Sequence, residues 1–249
     1  MSANRSAGRR RFLKLAGLGA LGLSVHRLFG RTDEAGTKRW AMVVDHGRCR
    51  WDDGCQGCIK ACHAAHNVPS LREPRHEVKW IWKERFSDVF ADQEAPHAPE
   101  AVTSRPVVVM CNHCDEPPCV KVCPTRATWR REDGIVAMDQ HRCIGCRYCV
   151  AACPYGSRSF NWVDPRNALA TVDPSYPPRT KGVVEKCTFC VERLDRGLLP
   201  LCVEGCPEKA LVFGDLNDPK SAVRELLRSR FALRRRPGLG TDPQLYTLV

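Results

Sequence analysis

Between Cys143 and Pro154 the chain reads CIGCRYCVAACP: four cysteines at gaps of two, two and three residues, then a proline. Three thiols within seven residues cannot disperse as separate core side chains; the spacing points them at one centre. The pattern recurs. All sixteen cysteines of the 249-residue chain fall into four quartets. These are Cys49, Cys55, Cys58, Cys62; Cys111, Cys114, Cys119, Cys123; Cys143, Cys146, Cys149, Cys153; and Cys187, Cys190, Cys202, Cys206. A disulfide framework spreads its cysteines to staple distant segments, whereas these are packed at ligand spacing.

The run C-x2-C-x2-C-x3-C-P is the bacterial ferredoxin signature for a four-iron, four-sulfur cluster. The first three cysteines wrap one cluster. The fourth, expected to open a helix and to be fixed by the proline, reaches a different cluster. Quartet three obeys the rule throughout, quartet two lengthens its middle gap to four residues across Pro117 and Pro118, and quartet four lengthens it to eleven. Quartet one has five residues after Cys49, and His63 stands where the others have proline.

Cross-ligation requires the quartets to pair. Only 19 residues, about one hairpin, join quartets two and three, which leaves one and four as partners. The nested pairing predicts four [4Fe-4S] sites: Cys49, Cys55, Cys58 with Cys206; Cys187, Cys190, Cys202 with Cys62; Cys111, Cys114, Cys119 with Cys153; and Cys143, Cys146, Cys149 with Cys123. Zinc is the competing metal, but zinc ribbons use two separated cysteine pairs and need no proline-flanked fourth ligand. Imidazole replaces thiolate at some iron sites. With every cysteine assigned, His63, His66 and His113 are read as packing groups or as donors to cluster sulfur. Trp80, Trp82, Trp129 and Trp162 are read as covers excluding water from the clusters. No Ser-His-Asp set, phosphate loop or carboxylate pair stands out, so the sequence offers no catalytic residue.

The formal net charge is +11, yet six of those positive charges precede Gly30, where there is no acid, leaving +5 for the rest. Each oxidised four-iron site adds roughly −2, which brings the loaded chain near about −3. A nucleic-acid footprint is therefore not supported, and a zinc-bearing structural or nucleic-acid-binding module is the alternative of another class.

The leader GRRRFLKLAGLGALGLSV reads as a twin-arginine export signal with Arg9 and Arg10 as the pair. Its apolar stretch from Leu15 to Val25 is well short of the ~20 residues of a spanning helix. Ala20-Leu21-Gly22 and Gly22-Leu23-Ser24 are the candidate cleavage points, with retention as an anchor the alternative. A route that carries folded cargo suits thiols that must meet their metal in a reducing compartment. The expected location is periplasmic, peripheral to the membrane, with no spanning helix in the mature chain.

Between the quartets, EVKWIWKE alternates Val78, Trp80 and Trp82 with lysines as a half-buried strand does. PVVVM reads as a second strand, and ATWRREDGIVAMD as a hairpin around Asp133-Gly134. ALVFGDL reads as a strand, and Asp218-Pro219 as the cap and first turn of a helix over SAVRELLRSRF. NWVDPRNALATVDPSYPPRTKG is turn-rich. The expected fold is α+β: two fused bacterial-type double-cluster ferredoxin-like modules, plus connecting strands and a C-terminal helix. The division is 1–30 for the signal region, 40–66 with 182–216 for one module and 106–160 for the other. Insertions occupy 67–105 and 161–181, and 217–249 forms the helix and tail.

These motifs resemble the four-cluster, ferredoxin-like electron-transfer subunits of membrane-bound respiratory oxidoreductases, such as dimethyl sulfoxide, polysulfide, tetrathionate and nitrite reductases. CHAAHNVP, CNHCDEPPCVKVCPTRATWRREDGIVAMD, GVVEKCTFCVERLDRGLLPLCVEGCPEKALVFGDLNDP and LGTDPQLY are similar to the branch that serves transmembrane complexes of dissimilatory sulfite reductase. The resemblance implies a pseudo-twofold axis between the modules. It also implies three kinds of partner: a polytopic quinone-interacting membrane subunit, a periplasmic multihaem cytochrome c, and further subunits of the same complex. The alternative within the family is the same relay serving a periplasmic molybdopterin oxidoreductase. Replacing Arg9 and Arg10 together with lysine is expected to strand the protein in the cytoplasm. Unchanged export in cell fractionation would remove the twin-arginine reading.

Overall fold

Two short strands bracket each cysteine quartet, and the strand leaving one quartet pairs with the strand entering the next. The computed structural model describes residues 37–249 apart from 52 and 94–96, so the leader and its cleavage points lie outside the described residues. Strand β1 (Trp40–Asp45) enters quartet one and β2 (Ile81–Glu84) leaves it. Quartet two lies between β3 (Val107–Met110) and β4 (Thr128–Arg130), and quartet three between β5 (Val136–Met138) and β6 (Ser159–Phe160). Quartet four lies between β7 (Val184–Glu185) and β8 (Leu211–Asp215). The pairs β2–β3, β4–β5 and β6–β7 are antiparallel, and β8 closes the cycle antiparallel on β1.

A helix sits inside every quartet. These are α1 (Gly57–Ala65), α2 (Pro118–Lys121), α3 (Tyr148–Ala152) and α4 (Leu201–Glu204). The third cysteine rides on the helix, and the fourth of quartets two, three and four lies just beyond its C-terminal end. The expectation that the fourth cysteine opens a helix is thus reversed. Its following proline has no amide to continue the ladder and pushes the preceding residue into extended backbone. Cys153 adopts that conformation, at φ −82° and ψ 108°. Quartet one lacks the proline, and α1 accordingly runs on past Cys62 for nine residues in all.

The central sheet has the order β8-β1-β10-β9, with β9 at Ala232–Leu233 and β10 at Leu245–Leu248. Met42 lies opposite both Phe213 and, in a parallel register, Leu245. Alternation along a strand sends successive side chains to opposite faces. Ala41 and Val43 pack with Leu248 and Val223 beneath helix α5 (Ala222–Ser229). Met42 and Val44 face the main core, where Trp80, Met110, Phe189 and Phe213 surround Cys58, Cys62, Cys111, Cys187 and Cys202. The sheet therefore backs the cysteine-bearing loops on one side and carries α5 on the other. Among the described residues no helix is long and apolar enough to cross a membrane.

Several local expectations shift by a few residues, each for a visible reason. EVKWIWKE becomes a strand only from Ile81, because the Lys79 amide donates to Ser159 Oγ at 2.8 Å and Trp80 Nε1 to Glu185 at 3.0 Å. Those bonds dock residues 79 and 80 onto β6 and β7 instead of β3. The hairpin closes through a three-residue loop, since the Arg131 amide bonds the Ile135 carbonyl and Gly134 takes φ +84°. This is a type I turn with a bulge, not a two-residue turn. Ser221 caps α5, its hydroxyl accepting from the Arg224 amide, whereas Asp218 closes the turn before it by accepting from Lys220. The segment after α5, expected as a tail, returns to form β9 and β10.

Helices α1 and α4 cross where Gly57 and Gly205 face each other. A methyl group on Gly205 would lie 2.5 Å from Ala61 Cβ and 3.2 Å from the Gly57 carbonyl oxygen. Neither neighbour is a flexible side-chain end, so the helices would have to part. Gly205→Ala is expected to cost about 1–3 kcal/mol by overpacking. A lowered midpoint in thermal unfolding would read this out, and an unchanged one would show that the crossing has slack.

Candidate iron–sulfur centres

The cysteine loops are shaped by backbone conformations that side-chain-bearing residues rarely adopt. In all four quartets the residue just before the second cysteine is left-handed: Gly54 at φ +65°, His113 at +42°, Gly145 at +71° and Phe189 at +56°. A second left-handed residue follows three positions after each Cys-Pro cysteine: Arg126 at +52°, Gly156 at +63° and Lys209 at +50°. Such strain persists where surrounding contacts over-determine it, and it clusters at functional sites. Here its effect is to aim amides at sulfur. The Ala210 amide donates to Cys206 Sγ at 3.2 Å. Cys153 receives the amides of Tyr155 and Ser157, and Cys123 those of Thr125, Ala127 and Thr128. The amide four residues after the cysteine is common to all three.

Fourteen of the sixteen thiols gather in four neighbourhoods. Cys49 lies against Cys55 and Cys206, and Cys58 also faces Cys206 across the α1–α4 crossing. Cys62 faces Cys187, Cys202 and Cys190. Cys111, Cys114, Cys119 and Cys153 line one cavity together with Pro117, Pro118, Tyr155 and Arg158. Cys149 faces Cys143, while Cys146 and Cys123 lie half-buried. The neighbourhoods also adjoin in sequence, forming a row: Cys58 faces Cys202, Cys187 faces Cys111, and Cys119 faces Cys149.

Burial disfavours the thiolate and pushes Cys58, Cys114 and Cys187 up to about 12. Cys62 and Cys202 are raised well above the usual thiol range by burial and by the other thiols around them. A bare thiol at these positions stays protonated, and a thiolate there needs a metal cation against it. Cys123 goes the other way. Burial opposes its ionisation, but the amides of Thr128, Ala127 and Thr125 and the Thr125 hydroxyl outweigh it and bring the thiol below its ordinary value.

Comparison with known proteins points to the same iron–sulfur chemistry. The profile of the 4Fe-4S dicluster domain matches residues 105–169 and, in a second form, 142–211. The chain is 41% identical to the Hdr-like menaquinol oxidoreductase iron-sulfur subunit 1 of Archaeoglobus fulgidus, over 96% of each chain. It is 37% identical to the menaquinone reductase iron-sulfur cluster-binding subunit of Nitratidesulfovibrio vulgaris, over 84% of this chain and 88% of that one. With a tetrathionate reductase subunit of Salmonella typhimurium the identity is 35%, over 98% and 89%. The chain belongs to this family of iron–sulfur oxidoreductase subunits.

The buried polar groups of this iron–sulfur subunit fit a cuboidal cluster better than they fit one another. Arg158 is almost wholly buried, donates to Cys119 Sγ at 3.1 Å, and has Thr128 Oγ1 and Met138 Sδ as its other contacts. Lys186 is buried as well, with the carbonyls of Val136 and Cys187 as its acceptors. A buried cation lacking a carboxylate is costly unless some other anion faces it, and a cluster held by thiolates is such an anion. Asn112, which lines the cavity, and Thr188, between Cys187 and Cys190, both bury side-chain polar atoms without a partner among the described residues. Each sits one residue after the first cysteine of its quartet, as donors to a cluster sulfide would.

Sequence reasoning did not find Arg158, Lys186, Asn112 or Thr188. Basic or polar residues beside Cys-x-x-Cys loops were the available signal, masked by the high overall content of arginine. The histidines divide. His66 Nδ1 donates to the Cys62 carbonyl at 2.8 Å and lies 3.7 Å from Cys62 Sγ, while Nε2 reaches Glu192 at 3.0 Å. Burial disfavours its charge, but Cys190 and Glu192 hold the imidazolium up to about 9. His113 instead stacks on Phe189 at 3.8 Å and accepts from the Val136 amide. Trp80 is buried as a cover should be, but Trp129 and Trp162 are 40% and 43% exposed and shield little. Cys146→Ser is expected to alter one cluster signal in low-temperature EPR and to spare those of quartets one and four. Uniform loss of all signals would refute independent sites.

Proposed function

We propose that this subunit is a non-catalytic relay carrying four [4Fe-4S] clusters, with the ligand sets that follow from nested pairing. These are Cys49, Cys55, Cys58 with Cys206; Cys187, Cys190, Cys202 with Cys62; Cys111, Cys114, Cys119 with Cys153; and Cys143, Cys146, Cys149 with Cys123. The observation that carries the reading is the row of thiol neighbourhoods, each facing the next. A bound four-iron cluster takes up and releases single electrons. The chain's own part is to hold the thiolates, donate amides to sulfur, exclude water and set buried charge around each site.

The relatives named for menaquinol and menaquinone favour a quinone-interacting membrane subunit as one partner. At the other end we place a periplasmic multihaem cytochrome c, in dissimilatory sulfur metabolism. This is the role of the DsrO subunit in the DsrMKJOP complex of dissimilatory sulfite reductase, to which the segments between the motifs are similar. Twin-arginine export of the folded, loaded subunit to the periplasm completes the proposal. The relative named for tetrathionate reductase favours a second reading, the same relay serving a periplasmic molybdopterin oxidoreductase. Mild solubilisation of native membranes and affinity purification separates the two. Haem-bearing and polytopic partners are expected, and a large molybdenum-containing partner without haem would establish the second reading. The isolated subunit is expected to reduce no sulfur compound at a meaningful rate. Turnover by the pure chain would overturn the relay.

A further inference from the structure

Three buried cations converge on one of the four thiol neighbourhoods. Arg158 lines the cavity of Cys111, Cys114, Cys119 and Cys153 and bonds Cys119 directly. Lys186 approaches it through its bond to the carbonyl of Val136, another residue of the lining. Arg235, 8% exposed, stacks over the Tyr155 ring at 5.2 Å and bonds the Tyr155 carbonyl, and Tyr155 is also part of the lining. Its Nε and Nη1 have no acceptor among the described residues.

Among the described residues no carboxylate forms an ion pair with any of the three, and Glu84 faces Arg235 only at longer range. Glu185, next to Lys186, is engaged by Arg179, Trp80 and Asn161. Asp115, beside Cys114, is bracketed by Arg39 and Arg130. The other sites receive less: Lys83 and Arg105 face the Cys49 site, but both are only half-buried, and Lys83 donates to the Cys55 carbonyl. Arg158 also faces Cys149, and Lys186 also faces Cys187, so each adjacent site shares one cation of the three. Around Cys190, the positive His66 is offset by Glu192.

Reduction adds one negative charge to a cluster, so buried cations beside it stabilise the reduced form. Water does the same for exposed clusters, but it reorganises around either redox state, whereas a fixed cation in a dry site is poised for the added charge. We propose that the site of Cys111, Cys114, Cys119 and Cys153 has the most positive potential of the four, set by Arg158, Lys186 and Arg235 as positioning residues. The third place in the row is then where an electron entering from either end comes to rest. This rests on the four-cluster reading above.

The test is an EPR-monitored redox titration of the anaerobically purified full chain, alongside iron and sulfide analysis. Arg158→Gln and Lys186→Met are each expected to lower the midpoint of the first-reduced cluster, at least tenfold in its reduction equilibrium, or about 59 mV for one electron. Arg235→Gln moves the same midpoint in the same direction, Arg158→Lys restores it, and Cys153→Ser alters that signal and no other. If the first-reduced cluster ignores all three substitutions, or responds to Cys123→Ser instead of Cys153→Ser, the assignment is overturned. The underlying reading fails separately. A wild-type chain holding far fewer than about sixteen iron atoms would sink it before any potential is measured.

Discussion

The fold is organised around one electrostatic problem: keeping clustered thiols away from water without leaving the charge of a metal-bound thiolate uncompensated. Burial alone would keep the thiols protonated. Compensation comes from three sources at graded distance. Amides delivered by left-handed turns reach the sulfurs directly, Arg158 and Lys186 stand close behind them, and metal supplies the rest. The core is consequently unusual in composition. Cysteines occupy places that Leu or Ile would fill in an ordinary domain, flanked by Met42, Met110 and Phe189. An apolar lining with a few fixed charges is the environment in which small differences in charge placement translate into large differences between otherwise identical redox centres.

The repeated unit of strand, cysteine loop, short helix, cysteine, turn and strand explains how one chain makes this environment four times. Its variations are informative. Proline after the fourth cysteine ends the helix within one turn in quartets two to four. His63 in that place lets α1 continue to Ala65, which delivers His66 to a position near Cys62 and Glu192. Asn67, left-handed at φ +50°, then ties the chain to the turn-rich spacer through Asp173 and Tyr176. One substitution in a motif thus re-routes a segment and replaces an amide near sulfur with an imidazole.

The cysteine spacing made the metal chemistry legible, because ligand geometry is written into gaps of two and three residues. The hairpin at Gly134 and the strands PVVVM and ALVFGDL were legible for the same local reason. What escaped was non-local. Nothing in WAMVVD marks β1 as the middle of a sheet whose partners lie at 211–215 and 245–248. Nothing in the sequence around Arg158 or Lys186 shows that the first reaches the Cys119 sulfur and the second is buried against the Cys187 carbonyl. Trp129 and Trp162 misled because a large aromatic side chain reads as core material, whereas Trp162 lies on the surface with Arg147 over its ring.

The placement of β1 also has a temporal consequence. Its flanking strands are synthesised about 170 and 200 residues later, and closing so long a loop is slow and entropically costly. Until the distal segments arrive, Ala41 to Val44 have no shelter, and Gly57 has no helix to meet. Residues 106–160, by contrast, contain two quartets and a hairpin within a short stretch and can organise early. Maturation would then proceed from the middle of the polypeptide outward, with the final docking of β8 and β10 acting as a latch that distinguishes a finished molecule from a half-built one.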